Sequence, residues 1–247
     1  MRTDGAIAVT GANRGIGAAI ALALARDGYT VACLTRGAVL PEAPAGERLA
    51  GKLIPIGCDV LDEAQVRAAL ERAAREGGGL AGLVNNAGVH AEAKSAELPV
   101  AEFERVMATN ARSVFVVARE AYPHLVRGGG GLIVNIGSFY DKLGVKRNLA
   151  YCASKAAVGA MTRCLAVEWA SKGIRVVNVA PGYIVTDLNR RAMGEGALRA
   201  FLETRIPGKV PGSAAEVARL VASLYREDLH FLTGETIYID GGHSVAP

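Results

Sequence analysis

The sequence predicts an α/β fold, a doubly wound parallel sheet with helices on both faces. Three observations carry this. Short apolar runs recur near 6–10, 30–35, 53–57, 82–85, 132–137, 175–180 and 236–239, with helical stretches between them. Such alternation builds βαβ units and hence a parallel sheet. Runs such as Leu132-Ile-Val-Asn-Ile136 and Arg175-Val-Val-Asn-Val179 are β-branched and mostly apolar. Strands buried on both faces read that way. Hydrophobic residues make up 51% of the chain but aromatics only 5%, so Ala, Val, Leu and Ile must build the core. At 247 residues, one domain spanning 1–247 is expected.

Taken in order, Ala6 to Thr10 reads as a short buried strand. Gly11-Ala-Asn-Arg-Gly15-Ile-Gly17 follows, then an Ala/Leu-rich helix to about Asp27. Strand, glycine turn and helix form a phosphate-binding turn. Glycines let the backbone approach a pyrophosphate, and the helix N-terminus offers free N–H groups and a partial positive charge. The spacing is Gly-x-x-x-Gly-x-Gly rather than G-x-G-x-x-G. The alternative is a turn that only packs helix on strand.

The second strand ends at Arg36, nineteen residues beyond Gly17, and no acid lies between Asp27 and Glu42. An enzyme using NAD places Asp or Glu about 20 residues beyond the motif to grip the ribose hydroxyls. An acid there would repel a 2′-phosphate, whereas Arg pairs with it through two hydrogen bonds. NADP(H) is therefore expected over NAD(H). Arg14 either closes the other side of that phosphate or braces the turn.

The third strand leads into Cys58-Asp59-Val60 and a helix over 62–76. The fourth ends in Asn85-Asn86-Ala87-Gly88. One long helix is expected over 99–126, carrying Asn110. Gly128-Gly-Gly-Gly131 turns the chain into the fifth strand, which ends at Ser138. A helix near 152–171 follows, and the sixth strand ends at Pro181-Gly182. The stretch 187–212 interrupts the last βαβ unit and carries Arg190, Arg191, Arg199, Arg205 and Lys209. A helix over 214–226 and the strand 236–239 complete the chain.

Tyr151 and Lys155 stand four residues apart, with Ser138 thirteen residues upstream. Four residues is about one helical turn, so phenol and ammonium share a helix face. A Tyr with its usual pKa of about 10 is a poor acid at neutral pH, and a nearby cation lowers that value. A tuned Tyr passes a proton to or from a reacting oxygen. Alone, the pair reads equally as a surface i,i+4 contact. Ligands of open α/β sheets bind beyond the carboxyl ends of the strands. Gly11 to Gly17, Arg36, Asp59, Asn85 to Gly88, Ser138 and Pro181-Gly182 all fall there.

Other function classes are excluded. No apolar run reaches the roughly 18 residues that span a membrane. Met1 to Gly5 run straight into the first strand, so no signal peptide is expected and the location is read as cytoplasmic. Cys33, Cys58, Cys152 and Cys164 match no zinc or redox motif and read as reduced thiols. The histidines at 90, 124, 230 and 243 have no metal spacing, so no metal is expected. A net charge of +4 suits an anionic cofactor but does not signal nucleic acid.

Together the motifs resemble the short-chain dehydrogenase/reductase family in its compact single-domain form. The chain looks most like the 3-oxoacyl-carrier-protein reductase branch. Thr10 to Gly17 match the cofactor turn, and Cys58-Asp59-Val60 the segment whose Asp contacts adenine. Asn85 to Gly88 match the motif closing the fourth strand. Asn110, Ser138, Tyr151 and Lys155 match the catalytic tetrad. Pro181-Gly182 with Thr186 match the segment bordering the nicotinamide. Phe231-Leu-Thr-Gly234 and Asp240-Gly-Gly242 match the C-terminal signature.

The resemblance implies a seven-stranded Rossmann-like sheet of order 3-2-1-4-5-6-7. It implies hydride transfer between NADP(H) and a ketone or secondary alcohol. Gly11, Asn13, Arg14, Gly15, Ile16, Gly17, Arg36, Asp59, Val60, Asn86, Ala87, Gly88, Tyr151, Lys155, Pro181, Gly182, Ile184 and Thr186 would then contact cofactor. Ser138 would orient the carbonyl, Tyr151 give the proton and Lys155 tune Tyr151 and hold ribose hydroxyls. Asn110 would hold a water linking Lys155 to solvent. Phe139, Tyr140, Val145, Asn148, Tyr183 and Met193 would line the substrate pocket under a lid formed by 187–212. The substrate is a small carbonyl or alcohol, free or linked to an acidic carrier protein that Arg127 and Lys172 would contact. These two cations read equally as solvated surface charge. A homotetramer or dimer would pair the helices near 99–126 and 152–171 and the final strands. Ala156, Ala157 and Ala160 would permit close helix approach there, or equally packing on the sheet. An NADPH-dependent carbonyl reductase leads. An oxidative alcohol or polyol dehydrogenase and a catalytically silent nucleotide-binding protein remain open. A sugar-nucleotide epimerase is disfavoured, since only 65 residues follow Gly182.

Overall fold

A computed structural model describes residues 5–186, 189, 191, 193, 195–227 and 229–246. Met1 to Asp4, Asp187 and Arg190, on which expectations fell, lie outside the described residues. Seven strands form one sheet: β1 (Ala6–Thr10), β2 (Thr30–Thr35), β3 (Lys52–Gly57), β4 (Leu80–Asn85), β5 (Gly131–Ile136), β6 (Ile174–Pro181) and β9 (Thr236–Ile239). Their order is β3-β2-β1-β4-β5-β6-β9, and every pairing is parallel. The expected order therefore holds, with β9 as seventh strand of the sheet.

The apolar runs reach both faces, and each face finds its own helices. On one side α1 (Gly15–Arg26) and α7 (Ala214–Arg226) pack Ile20, Leu24, Val217 and Val221 against Ile7, Val9 and Val134. On the other, α2 (Glu63–Glu76), α4 (Ser113–Arg127) and α5 (Leu149–Trp169) pack Val66, Leu70, Val117, Leu125 and Trp169 against Ala8, Leu83 and Ile133. Tyr225 of α7 is fully buried and donates to Leu83 O at 2.9 Å and Leu132 O at 3.1 Å. Gly82 makes this possible, because a Cβ there would stand 2.3 Å from the Tyr225 ring. Helix ends carry their own caps. Asp62 accepts from Ala64 N and Gln65 N, and Ser213 forms a reciprocal capping box with Glu216.

The helix expected over 99–126 is two helices. α3 (Val100–Met107) passes through a π turn (Ala108–Arg112) into α4. Thr109 Oγ1 donates to Arg105 O at 2.8 Å and Ser113 Oγ to Thr109 O at 2.6 Å. Such back-bonding bends helices, and π turns cluster at functional sites. The turn brings Asn110 wholly inside. Helix α5 begins at Leu149, so Tyr151 already lies in its first turn.

A second, two-stranded sheet was not foreseen. β7 (Ile184–Val185) pairs with β8 (Gly212–Ser213). The insertion therefore leaves and rejoins the fold at one place. Between them α6 (Gly196–Arg205) contributes Leu202 to a small cluster with Met193 and Ile206. Cys33 and Cys58 are buried free thiols, and burial pushes them up to about 12 and about 11. Among the described residues no helix is long and apolar enough to cross a membrane, and no cluster of metal-ligating side chains occurs.

Candidate active site

The glycine turn lies between β1 and α1. Gly11 and Gly15 adopt φ of +65° and +57°, which disfavours side chains. Gly17 has a different reason. A Cβ there would stand 2.3 Å from both Asn86 Nδ2 and Gly11 O. That amide donates to Thr10 O at 3.0 Å and Gly11 O at 3.3 Å. Thr10 Oγ1 in turn accepts from Asn86 N at 2.9 Å and Ala87 N at 3.0 Å. The turns after β1 and β4 are thus one braced unit.

The N-terminus of α1 has no side-chain cap and no acidic residue in its first turn. Free N–H groups at a positive helix end, beside glycines with no room for a Cβ, fit a pyrophosphate. The residues present therefore fit a dinucleotide. Arg14 and Arg36 are exposed, and among the described residues neither has an ion-pair partner. Gly11 N donates to Leu34 O at 2.8 Å, which sets the Arg36 end of β2 beside the turn. Asp59 is held there too, with Cys58 N on Thr35 O at 2.9 Å and Asp59 Oδ1 accepting from Leu61 N at 3.0 Å. Asn13 is exposed on the turn, while Ile16 and Val60 are half-buried against the two cores. Thr186 reaches across from the far side, its methyl 3.6 Å from where a Gly15 Cβ would be. Gly182 lies so close to Asp240 that a Cβ would meet its Cα at 2.6 Å. Ile184 is buried behind this segment.

Ser138, Tyr151 and Lys155 converge at the end of β5. Ser138 lies beside the Tyr151 phenol and favours its ionised form, yet burial pushes the Tyr151 pKa up overall. Lys155 Nζ is buried, donates to Ile136 O at 2.8 Å and lies 5.7 Å from the Tyr151 ring centroid. Burial lowers its pKa to about 8. Burial sets the direction at Tyr151, and the Lys155 ammonium has a main-chain carbonyl as its hydrogen-bond partner.

The Asn110 side chain is tied into the fold. Its Oδ1 accepts from Val89 N at 2.8 Å, and its Nδ2 donates to Val89 O at 2.8 Å and Ser154 Oγ at 3.0 Å. The amide thereby joins the loop after β4 to α5. Ser154 Oγ continues the chain to Tyr151 O at 2.8 Å. Ser154 was visible in the Tyr-x-x-x-Lys segment but carried no signal of its own.

A row of asparagines was missed as well. Asn85, Asn135 and Asn178 stand in register across β4, β5 and β6. Asn85 Nδ2 donates to Asn135 Oδ1, and Asn135 Nδ2 to Thr162 Oγ1 of α5, both at 2.9 Å. The helix carrying Tyr151 and Lys155 is thereby pinned to the sheet. The signal was present as one Asn near the end of each run.

The substrate side is aromatic. Tyr140 packs edge-on to Tyr151 with centroids 5.9 Å apart, and its hydroxyl meets that of Tyr183 at 2.9 Å. Phe139, expected in the lining, is only 3% exposed. It sits beneath Tyr140, Tyr183 and His243 and braces all three rings. Met193 is likewise buried in the small cluster of the insertion rather than facing an opening. Val145 is half-buried and Asn148 buried. The Asn148 amide donates to Lys146 O at 2.9 Å and meets His90 Nε2.

The histidines had shown no metal spacing, but two of them border this site. His90 packs edge-on to Tyr151 at 4.9 Å, and His243 to Tyr183 at 5.6 Å. Phe201 of α6 completes the wall at 6.3 Å from Tyr183. By contrast Arg127 and Lys172 precede β5 and β6 and so lie at the opposite end of the sheet. Arg127 there borders a cavity of about 710 Å³ between α2 and α4.

A family model described as Enoyl-(Acyl carrier protein) reductase matches residues 11–244. The chain is 36% identical to 2-(R)-hydroxypropyl-CoM dehydrogenase of Xanthobacter autotrophicus, over 96% of this chain and 97% of that protein. It is 34% identical to a 3-oxoacyl-(acyl-carrier-protein) reductase of Staphylococcus aureus, over 98% and 99%. A crystal structure of the Brucella melitensis 3-oxoacyl-(acyl-carrier protein) reductase in complex with NAD superposes with a TM-score of 0.89 at 30% identity, over all of both chains. With the Ser138–Tyr151–Lys155 site beside the glycine cradle, these likenesses make the chain a member of the short-chain dehydrogenase/reductase family, an oxidoreductase of alcohols and ketones.

Proposed function

We propose that the protein is an NADPH-dependent carbonyl reductase acting on a ketone through Ser138, Tyr151 and Lys155. The observation that carries it is the buried Lys155 ammonium 5.7 Å from the Tyr151 ring centroid, with Ser138 beside the phenol. A bound nicotinamide cofactor supplies hydride to the carbonyl carbon. Ser138 orients the carbonyl oxygen, and Tyr151 gives that oxygen its proton. Lys155 holds ribose hydroxyls and, as a buried cation, favours the phenolate. Asn110 lines the route by which Tyr151 regains a proton. Gly11 to Gly17, Asn86 to Gly88 and Pro181 to Thr186 hold the dinucleotide. Arg14 and Arg36, exposed and without ion pairs among the described residues, support the 2′-phosphate of NADP.

In this reading the chain is one domain whose segment 187–212 acts as a substrate lid, and the protein works in the cytoplasm. A homotetramer or dimer is supported by exposed apolar side chains on α4 and α5, Phe115 and Val167. The relatives named as dehydrogenases favour oxidation as a second reading. Initial rates in both directions with both cofactors separate the two. The direct test is Tyr151→Phe, which keeps the ring but removes the proton. A fall in kcat of about a thousandfold is expected, and a near wild-type rate would refute the assignment.

A further inference from the structure

Tyr140 and Tyr183 bridge two loops beside Tyr151 through their hydroxyls, which meet at 2.9 Å. Each phenol carries one proton, and a single bond between two hydroxyls uses only one of them. Neither hydroxyl has another side-chain or backbone partner among the described residues. Around Tyr183 the described neighbours are the rings of Phe139, His243 and Phe201, and the buried His243 Nδ1 is itself unpartnered among the described residues. Both tyrosines are half-buried. One proton of the pair is therefore left to donate to a group that enters beside Tyr151.

We propose that the Tyr140–Tyr183 hydroxyl pair selects substrates bearing a second oxygen on the carbon next to the reacting carbonyl. The class is α-diketones and α-hydroxy ketones in reduction, and vicinal diols in reverse. This rests on the reductase reading of the same site and deepens it. Ser138 and Tyr151 hold the reacting oxygen, and the Tyr140 ring stands beside that of Tyr151 at 5.9 Å. Two oxygens on adjacent carbons lie roughly 3 Å apart, and hydrogen bonds of about 2.8 Å from each reach neighbouring phenols. A plain ketone leaves the free donor facing alkyl carbon.

The test compares kcat/KM for 2,3-butanedione and 2-butanone with NADPH, in the wild type, Tyr140→Phe and Tyr183→Phe. Comparing ratios between proteins cancels the greater intrinsic reactivity of the dione. Each variant is expected to lower the dione-to-ketone ratio about tenfold, the dione losing more than the ketone. Thermal midpoints check that the variants fold. An unchanged ratio, or equal loss on both substrates, would mean the pair is only a strap between loops, and would overturn the proposal alone. Turnover of neither probe by wild type with NADPH or NADH would overturn the reductase reading and this proposal together.

Discussion

The two halves of the site are built by different means. The cofactor half, on β1, β4 and β5, is set by backbone. Glycines stand where no Cβ fits, Thr10 and Asn86 tie the two turns, and Asn85 and Asn135 bond strand to strand and on to α5. The substrate half, on the loops after β5 and β6 and on α6, is set by side chains. Its rings meet edge to edge, joined by a single hydroxyl pair. A backbone site tolerates almost no change and serves one ligand class. A side-chain site is altered one ring at a time. The same reaction can then be kept while the substrate changes.

The sharpest way to break this contrast is at Gly17. An added methyl must displace Asn86 Nδ2 or Gly11 O, each 2.3 Å from its position. Gly17→Ala is expected to weaken cofactor binding about 100-fold, as sub-ångström misplacement of a preformed site does. Fluorescence titration with NADPH reads it. Binding within about threefold of wild type would show that the cradle is softer than its packing implies. Arg36→Asp is next. It removes the cation at the end of β2 and restores the acid that suits free ribose hydroxyls. The ratio of kcat/KM for NADPH to that for NADH is expected to fall about 100-fold. An unmoved ratio would leave Arg14, or neither residue, as the determinant.

The pair at the junction of the two halves titrates. Burial lowers Lys155 from its ordinary 10.5 to about 8. Below that value the folded protein holds the ammonium. Above it the cation that supports the phenolate is lost, and kcat/KM for carbonyl reduction is expected to fall about tenfold per pH unit. Stability moves the other way. Between about 8 and 10.5 the unfolded chain keeps a proton that the folded chain has released. Raising pH through that window therefore stabilises the ligand-free fold relative to the unfolded chain. Lys155→Met should flatten the dependence. Melting midpoints across pH 7 to 10, for wild type and variant, check the sign.

How much of this was legible follows the same division. The strands, the glycine turn and the one-turn Tyr151–Lys155 spacing rest on short-range patterns, whereas the sheet order came from the family resemblance. Strands, turns and one-turn spacings repeat locally, so they survive in the sequence. The break in the helix expected over 99–126 was not legible, because it depends on Thr109 and Ser113 bonding back to their own helix and on Asn110 finding Val89 and Ser154. The sheet register that aligns Asn85, Asn135 and Asn178 is a tertiary fact, though each Asn was in view. His90 and His243 read as scattered because their company is aromatic rather than metal-binding. Phe139 and Met193 were placed in the lining on position along the chain, and position does not say which way a ring or thioether packs.

Ser154 is the smaller lever on the catalytic side. Its hydroxyl bridges Asn110 Nδ2 and Tyr151 O, and it is fully buried. Ser154→Ala leaves the Asn110 donor short of a partner, costing about 1–3 kcal/mol of stability. The Tyr151 turn should also loosen, with kcat lowered about tenfold while KM holds. Denaturant melts and steady-state rates separate the two effects. Loss of stability with kcat intact would make Ser154 a packing residue alone.

The smallest expected effect concerns a carrier protein. Arg127 and Lys172 precede β5 and β6, at the amino ends of the strands, whereas Ser138 and Tyr151 lie beyond the carboxyl ends. A carrier whose flexible arm delivers a carbonyl to Tyr151 would dock on the rim that Tyr140, Tyr183 and α6 surround, with no reason to touch those cations. Arg127→Glu with Lys172→Glu should leave kcat/KM within about twofold for both a free ketone and a carrier-linked 3-oxoacyl thioester. A selective loss on the carrier-linked substrate would mean that docking reaches around the sheet. The substrate half would then extend well past the aromatic wall, and the division between the two halves would no longer follow the strand ends.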